Sequence, residues 1–258
     1  MIDETGIYMN SWPQRIQSTF SPSELLSIFL PRNLKKHHSS DFSLSSIIST
    51  SSKEIYIKNS SLDQVDLSIY LYLLGISKDV DGKRMVSTSN YSIIKEFKNT
   101  AAGKNYDWLE ERMEKLVETN IFLTTRGDDL IWETKISLIS YLQYDDSKLT
   151  MEVFPLFEPN FIDMELRRKL GNRRQKALAF HAWLSVNKPL KKGIWVTKEQ
   201  LKTHFSSNKD ESMGVFIKNF RRDVIDRLLK EKFLLSVEEK DTCFGFWHSS
   251  GKKKAQKD

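Results

Sequence analysis

The spacing of apolar residues changes between two periods along the chain and predicts a protein built from both helices and strands. In 62–77 the apolar residues Val65, Ile69 and Leu73 recur with helical spacing, and Asp63 near the start is a suitable cap. The same spacing predicts helices over 90–97, 106–119, 175–186, 198–205 and 213–230. Runs rich in β-branched and aromatic residues predict strands over 55–57, 121–125, 134–142, 149–154, 195–197, 233–237 and 243–247. The predicted fold class is α+β.

The predicted elements follow one order in both halves: helix, short strand, helix, turn, helix, strand, turn, strand. This order is typical of a helix-turn-helix domain with a β-hairpin wing, so we predict two tandem winged-helix domains. We place an N-terminal extension at 1–52, winged-helix domain 1 at 53–158, winged-helix domain 2 at 159–250 and a Lys-rich tail at 251–258. Within the extension, 23–30 predicts a short helix, and the Ser-rich stretch 37–52 predicts a loop or a partly disordered linker.

The second predicted helix pair, in 196–230, has the clearest start signals. Thr197 is followed three residues later by Gln200, which is the spacing of a capping box. On a helical wheel of 213–230, the stripe expected to face the core contains Ile217, Phe220, Val224 and Leu228. The opposite face of the N-terminal half contains Val215, Lys218, Asn219 and Arg222.

Charge is distributed unevenly between the two halves. The net charge of +6 combines residues 163–258, which have 23 Lys and Arg against 12 Asp and Glu, with residues 1–162, which have 17 against 22. The second half therefore has a net charge of +11 and the first half −5. This asymmetry indicates that the second half binds a polyanion.

Helix 213–230 is the predicted DNA-recognition helix, because the N-terminal half of such a helix meets base edges in the major groove. Lys and Arg suit guanine and Asn suits adenine, so we predict base contacts by Lys218, Asn219 and Arg222. The predicted contacts to the DNA backbone are Lys191, Lys192, Lys198, Ser207, Asn208, Lys209, Ser212 and Arg221. A charged helix face is also the ordinary solvated face of an amphipathic helix, and that alternative stays open.

The corresponding helix of domain 1, 106–119, is acidic. Its five carboxylates, at Asp107, Glu110, Glu111, Glu114 and Glu118, would repel a phosphate backbone. Its exposed face is expected to be solvated or to contact protein, for example in a homodimer. The preceding loop contains Lys98 and Lys104, which leaves open whether domain 1 touches DNA.

Several classes of site are not indicated by the sequence. The single cysteine, Cys243, excludes an internal disulfide and a Cys-rich zinc site. The five histidines have neither metal-site spacing nor the His-x-His pattern of relaxase-type nickases, and no P-loop motif occurs. We therefore expect no catalytic residues, no metal and no cofactor. With no apolar run long enough to span a bilayer and no signal-peptide pattern at the start, we expect a cytoplasmic protein without membrane contact.

The chain also resembles the TrfA-like plasmid replication initiators, which belong to the class that binds repeated origin sites called iterons. The stretches that resemble the family are Ser11-Trp12-Pro13 with the short helix after it, 55–67, 106–116, 167–183 and the recognition helix at 218–228. The resemblance implies two winged-helix domains, binding to iterons in double-stranded origin DNA, opening of the origin and recruitment of host replication proteins. It also implies a monomer–dimer equilibrium.

Two other functions remain open from the sequence. A transcription regulator could use the same fold, with the acidic first domain as a dimerisation domain. A protein-interaction module built from tandem winged helices would not bind DNA at all.

Overall fold

The computed structural model describes residues 20, 22–26, 28–30, 45–49, 52–58, 62–98, 100–126, 131–145, 148–157, 162–186, 193–206 and 210–248. The described residues form two compact units, one through Phe157 and one from Ile162 onward. Both contain helices and antiparallel sheet, which confirms the α+β class. None of the helices in the described residues is long and apolar enough to cross a membrane.

The elements of the first unit, in chain order, are α1 (Pro22–Leu26), β1 (Phe29–Leu30), β2 (Ser45–Ser49), β3 (Lys53–Lys58), β4 (Leu62–Asp63), α2 (Gln64–Ile76), β5 (Lys78–Val80), β6 (Lys83–Thr88), α3 (Asn90–Phe97), α4 (Gly103–Glu118), β7 (Asn120–Arg126), β8 (Ile131–Ser137), β9 (Ile139–Asp145) and β10 (Lys148–Val153). One antiparallel sheet has the strand order β5-β6-β10-β9 and another has the order β2-β3-β7-β8. Strands β1 and β4 form a short parallel pair.

The elements of the second unit are α5 (Met164–Leu170), α6 (Gln175–Val186), β11 (Ile194–Thr197), α7 (Lys198–Phe205), α8 (Met213–Phe220), a π-helical segment (Arg221–Ile225), α9 (Asp226–Lys230), β12 (Leu234–Glu239) and β13 (Cys243–His248). The three strands form an antiparallel sheet in the order β11-β13-β12. In the first unit, strands β6, β10 and β9 lie side by side in the corresponding order. Strand β6 precedes the helices α3 and α4, as β11 precedes α7 and α8, and the hairpin β9–β10 corresponds to β12–β13. The predicted succession of helix, strand, two helices and a hairpin is thus present in both units.

The start of α2 is set by a capping box. Asp63 accepts hydrogen bonds from the backbone N–H groups of Val65 and Asp66, at 2.7 and 3.2 Å, and Asp66 accepts one from the N–H of Asp63 at 2.7 Å. Arg112 of α4 then reaches both carboxylates, with Nη1 2.8 Å from Asp63 and 2.9 Å from Asp66. Burial raises the pKa of Asp66, with Asp63 adding to the rise and Arg112 opposing it. This ion triad fastens α4 to the start of α2.

The core of the first unit includes part of the N-terminal extension. The Tyr70 ring stacks on Phe29 at 6.0 Å and meets Phe157 edge-on at 6.3 Å. Its hydroxyl donates to the carbonyl of Phe154 at 2.5 Å and accepts from the N–H of Leu156 at 2.8 Å. One tyrosine thus joins α2 to β1 and to the segment that follows β10.

The core of the second unit is aromatic. The Phe180 ring of α6 lies edge-on to Phe205 at 5.4 Å, to Phe220 at 5.2 Å and to Phe246 at 4.9 Å. All four rings are buried, and each buried ring of this size stabilises the fold by about 1.5–3 kcal/mol. The cluster joins α6, α7, α8 and the hairpin, so it sets the position of the helix pair.

Beside this core lies a buried basic cluster. His181 is fully buried, its ring meets Phe233 edge-on at 4.6 Å, and Phe233 stacks on His248 at 5.3 Å. Neither ring nitrogen of His181 has a hydrogen-bond partner among the described residues. Burial, with smaller contributions from nearby Arg167 and His248, holds the pKa of His181 well below its ordinary value. His181 is therefore a neutral core residue.

The structure corrects three of the predicted elements. The predicted strand 134–142 is two strands, β8 and β9, which belong to different sheets. The predicted loop at 37–52 is wrong at Ser45–Ser49, which is strand β2. The predicted helix at 23–30 ends at Leu26, and Phe29–Leu30 pairs as a strand instead. In each case pairing with a distant strand decides the outcome.

Candidate nucleic-acid interface

The helix pair of the second unit begins at two capped positions. Thr197 and Gln200 form the predicted capping box, with the N–H of Gln200 3.1 Å from the Thr197 hydroxyl and the N–H of Thr197 3.0 Å from the Gln200 amide oxygen. The Ser212 hydroxyl accepts from the N–H of Val215 at 3.4 Å and caps α8. Ser212 was predicted to contact the DNA backbone, and here it has a structural role at the start of the helix.

Helix 213–230 is not one continuous α-helix. A π-helical turn, Arg221–Ile225, separates α8 from α9. The wider turn shifts the buried stripe, which contains Phe216, Phe220, Val224, Ile225 and Leu228. Ile217, predicted to face the core, is only partly buried. π-Turns within α-helices are rare and occur often at functional sites.

The predicted presented face is exposed. Val215 and Lys218 are exposed, Asn219 is half-buried, and Arg221 and Arg222 are both exposed. Among the described residues Lys218 makes no hydrogen bond or ion pair, so its ammonium group points to solvent. The N-terminal half of this helix thus presents cationic side chains beside an apolar one, which suits a guanine edge and a thymine methyl.

Four of the six predicted contact residues that the structure describes bind carboxylates of the same unit, which the sequence did not reveal. Asn219 donates from Nδ2 to Glu211 at 3.0 Å, and the other carboxylate oxygen of Glu211 accepts from Ser206 at 3.0 Å. One amide N–H and the amide oxygen of Asn219 are left for another partner. Glu211 thus links the turn between α7 and α8 to helix α8, the predicted recognition helix.

A second carboxylate, Glu239 at the end of β12, holds two predicted backbone contacts. Lys198 lies 2.8 Å from one oxygen of Glu239, and Arg221 donates to the other. Both cations also lie over the ring of Phe244, at 5.5 and 5.8 Å. Hydrogen bonding by Lys198, with Arg221 contributing less, lowers the pKa of Glu239. The two cations are thus held together on one anion, at the turn end of the β12–β13 hairpin.

A third carboxylate lies next to Arg222. Asp223 accepts from Nε of Arg222 at 2.8 Å and from Nη2 at 2.9 Å. The hydrogen bond lowers the pKa of Asp223 and raises that of Arg222. Adjacent residues on a helix face different directions, and the sequence spacing alone therefore does not indicate this pair.

The remaining predicted backbone contacts, Lys191, Lys192, Ser207, Asn208 and Lys209, lie outside the described residues. The structure brings Lys218, Asn219, Arg221, Arg222 and Lys198 to the helix pair and the turn end of the hairpin. The position of these five residues agrees with a nucleic-acid interface, and contact with DNA stays a prediction.

The matching face of the first unit has a different chemistry. On α4, Arg112 is turned inward to Asp63 and Asp66, and Lys115 pairs with Glu111 at 2.5 Å. The exposed side of α4 is therefore still more acidic than its composition indicates. Near its N-terminus a pocket of about 260 Å³ is lined by Ser89, Asn90, Tyr91, Tyr106, Tyr144, Lys148 and Leu149. Three exposed tyrosines beside an acidic helix suit a protein contact better than a phosphate backbone.

Comparison with known proteins gives matches among solved structures. No family model matches the chain, and no curated protein matches it. A selenomethionine form of domains 2 and 3 of RctB superposes with a TM-score of 0.55 at 9% identity, covering 89% of this chain and 99% of that one. A second structure of RctB domains 2–3 gives a TM-score of 0.55 at 11% identity, covering 88% and 97%. At these identities the likeness shows the fold, over nearly the whole of both chains.

Proposed function

We propose that this chain is a replication initiator that binds repeated sites in double-stranded origin DNA through its second unit. The structural neighbours are domains of RctB, a replication initiator, and their likeness supports an initiator-like fold. The finer predictions, which are a TrfA-like plasmid initiator and binding to iterons, belong to this proposal. We interpret both units as winged helices, because each has two successive helices followed by a hairpin.

The observation that supports DNA binding most strongly is the exposed cationic face of α8 and the π-turn. Lys218 and Arg222 project from the half of the helix that meets base edges in helix-turn-helix proteins. Lys198 and Arg221 lie beside them at the hairpin, where phosphates would follow the groove edge. Base-reading and phosphate-binding groups thus occur together on one surface.

In this proposal the first unit is the part of the chain that binds other proteins. Its acidic α4 and its tyrosine-lined pocket suit a homodimer or a host replication protein. Opening of the origin would be driven by binding energy and DNA deformation, since the sequence has no P-loop motif. We propose no catalytic residue, metal or cofactor.

A gel shift at fixed salt tests the proposal. We expect the double variant Asn219→Ala/Arg222→Ala to bind origin-repeat duplex at least about 5- to 150-fold more weakly than wild type, since one good base contact alone provides that range and the variant removes two. The control is Lys230→Ala, which removes a positive charge from an exposed residue further along the same helix. Equal binding by wild type and the double variant would overturn the assignment of these base contacts.

Two other functions make different predictions. A dimeric transcription regulator would select a palindrome, whereas an initiator that binds directional repeats would select an asymmetric site. A plasmid with this gene and its neighbouring repeats would replicate without another initiator only under the proposed function. A protein-interaction module would show no DNA binding at low salt, where phosphate contacts are strongest.

A further inference from the structure

The pair formed by Arg222 and Asp223 has a specific geometry. The carboxylate of Asp223 binds the side of the guanidinium, with Oδ1 2.8 Å from Nε and Oδ2 2.9 Å from Nη2. Two parallel hydrogen bonds of this kind fix the plane of the guanidinium as well as its distance. Lys176 and Arg227 also lie near enough to lower the pKa of Asp223, and Arg222 makes the hydrogen bonds.

Counting donors shows what the pair leaves available. A guanidinium has five N–H groups, of which Asp223 takes one on Nε and one on Nη2. One N–H on Nη1 and one on Nη2 remain parallel at the far end of the group. A guanine in the major groove presents two acceptors, O6 and N7, that match such an end-on pair of donors.

The neighbouring arginine is held by a different carboxylate. Arg221 donates to Glu239, which also binds Lys198, and it lies over the Phe244 ring at the turn end of the hairpin. Arg222 makes no contact with this group, and its side chain is 65% exposed. Within the π-turn two consecutive arginines thus have separate partners and separate surroundings.

Stability gives little reason for the Arg222–Asp223 pair. The side chain of Arg222 is 65% exposed and that of Asp223 is 40% exposed. Ion pairs with this much exposure stabilise a fold only weakly. Holding a flexible arginine in one orientation before binding lowers the entropy lost when it meets a base. The arrangement is therefore better explained by what Arg222 binds than by the fold.

We propose that Asp223 is a positioning residue that presents the end-on edge of Arg222 to O6 and N7 of a guanine in the major groove. This inference rests on the proposed function, and it assigns to Asp223 a part in base selection rather than in overall affinity. Because the pair is neutral in sum, Arg222 contributes to the choice of base more than to the salt dependence of binding.

The test is a binding-site selection from random duplexes with the full chain and its variants. The wild type is expected to select a site with a required guanine, and Arg222→Ala to lose that requirement at one position. Asp223→Asn keeps the shape and leaves one acceptor oxygen, which breaks the two-bond fork. We expect it to lose about 5-fold or more of the preference at the same position and to bind non-cognate duplex more tightly.

Two controls sharpen the result. Asp226→Asn makes the same charge change at an exposed position on the same helix and should keep the guanine preference. Replacing the selected guanine by 7-deazaguanine, which lacks the N7 acceptor, should weaken wild-type binding and leave Asp223→Asn nearly unaffected. Circular dichroism of each variant confirms that the fold is retained.

The outcomes separate this inference from the proposed function. A wild-type chain that enriches no duplex overturns the proposed function and this inference with it. Enrichment of one site by wild type and Asp223→Asn with the same guanine preference overturns this inference alone. Loss of the preference in Asp226→Asn as well would mean that net charge, rather than the fork on Arg222, sets the choice of base.

Discussion

Replacing Glu239 by Gln should strengthen DNA binding while weakening the fold. Glu239 joins Lys198, 2.8 Å away, to Arg221, and both cations are among the predicted phosphate contacts. A phosphate that binds these cations must displace the carboxylate or approach it closely. Under the proposed function, Glu239 therefore competes with a DNA phosphate for these two cations.

The magnitude follows from the two ion pairs. The side chains of Arg221 and Glu239 are 46% and 35% exposed, whereas that of Lys198 is 15% exposed, so the Arg221 pair is close to solvent-exposed and the Lys198 pair is partly buried. Exposed pairs stabilise a fold by about 0.2–1 kcal/mol each, so the two together contribute at least about 0.4–2 kcal/mol. Removing the carboxylate should lower the free energy of unfolding by about that amount. The same free energy no longer opposes DNA binding, which should become about 2- to 30-fold tighter.

Two assays measure these opposite changes. Urea unfolding gives the loss of stability, and fluorescence anisotropy with a random-sequence duplex at fixed salt gives the gain in affinity. Glu238→Gln is the matched control, since Glu238 precedes Glu239 on β12 and pairs with Lys240 at 3.6 Å instead. The control removes the same charge from the same strand and should change the affinity by a smaller factor.

A loss of affinity in Glu239→Gln would refute the reasoning. It would mean that the carboxylate supports binding by holding the hairpin against the recognition helix, and that it does not compete with phosphate. Equal gains in Glu239→Gln and Glu238→Gln would also refute it, because the effect would then come from net charge.

The remaining predictions concern stability. The pKa of buried His181 lies below its unfolded value of about 6.5, so the unfolded state binds more protons than the folded state in acid. The contribution of neutral His181 to the free energy of unfolding should therefore be fully present above about pH 6.5. Below that pH the free energy of unfolding should fall by up to about 1.4 kcal/mol per pH unit. Urea midpoints at about pH 7.5 and about pH 5.5 check this, and His181→Phe should reduce the difference. Arg112→Met should destabilise the first unit by about 3–5 kcal/mol in urea unfolding, because it leaves Asp63 and Asp66 without their cation; a change below about 1 kcal/mol would contradict the role of the triad. Tyr70→Phe should cost about 1–3 kcal/mol in the same assay, since it removes the buried hydroxyl that donates to the carbonyl of Phe154 and accepts from the N–H of Leu156, and an unchanged midpoint would contradict this.

Local signals in the sequence were sufficient for most helices. Asp63 and Thr197 each cap a helix as predicted, because capping depends only on residues two or three positions away. Strand pairing depends on distant residues. The sequence of 131–145 does not indicate that the chain passes from one sheet to another at Leu138. The sequence of the Ser-rich stretch does not indicate that Ser45–Ser49 pairs with β3 as a strand.

The exposure of the predicted contact residues follows from the sequence, whereas their contacts with carboxylates do not. The exposed positions of Lys218 and Arg222 follow from helical spacing, which holds through the first turns of 213–230. The π-turn does not follow from spacing, since one extra residue per turn leaves no mark in the pattern of apolar residues before it. The contacts of Glu211 and Glu239 with the recognition helix come from tertiary structure, and only a structure shows that these carboxylates hold the predicted DNA-binding side chains.

The central claim is that the second unit binds duplex DNA through its proposed recognition helix and the turn end of its hairpin. The most direct test is the salt dependence of duplex binding by wild type and by Lys198→Ala/Arg221→Ala, with circular dichroism to confirm the fold. Each lost phosphate contact lowers the slope of log affinity against log salt by about 0.9, so the double variant should show a slope shallower by about 1.8. Identical slopes for the two proteins, or no binding by wild type at low salt, would contradict the claim.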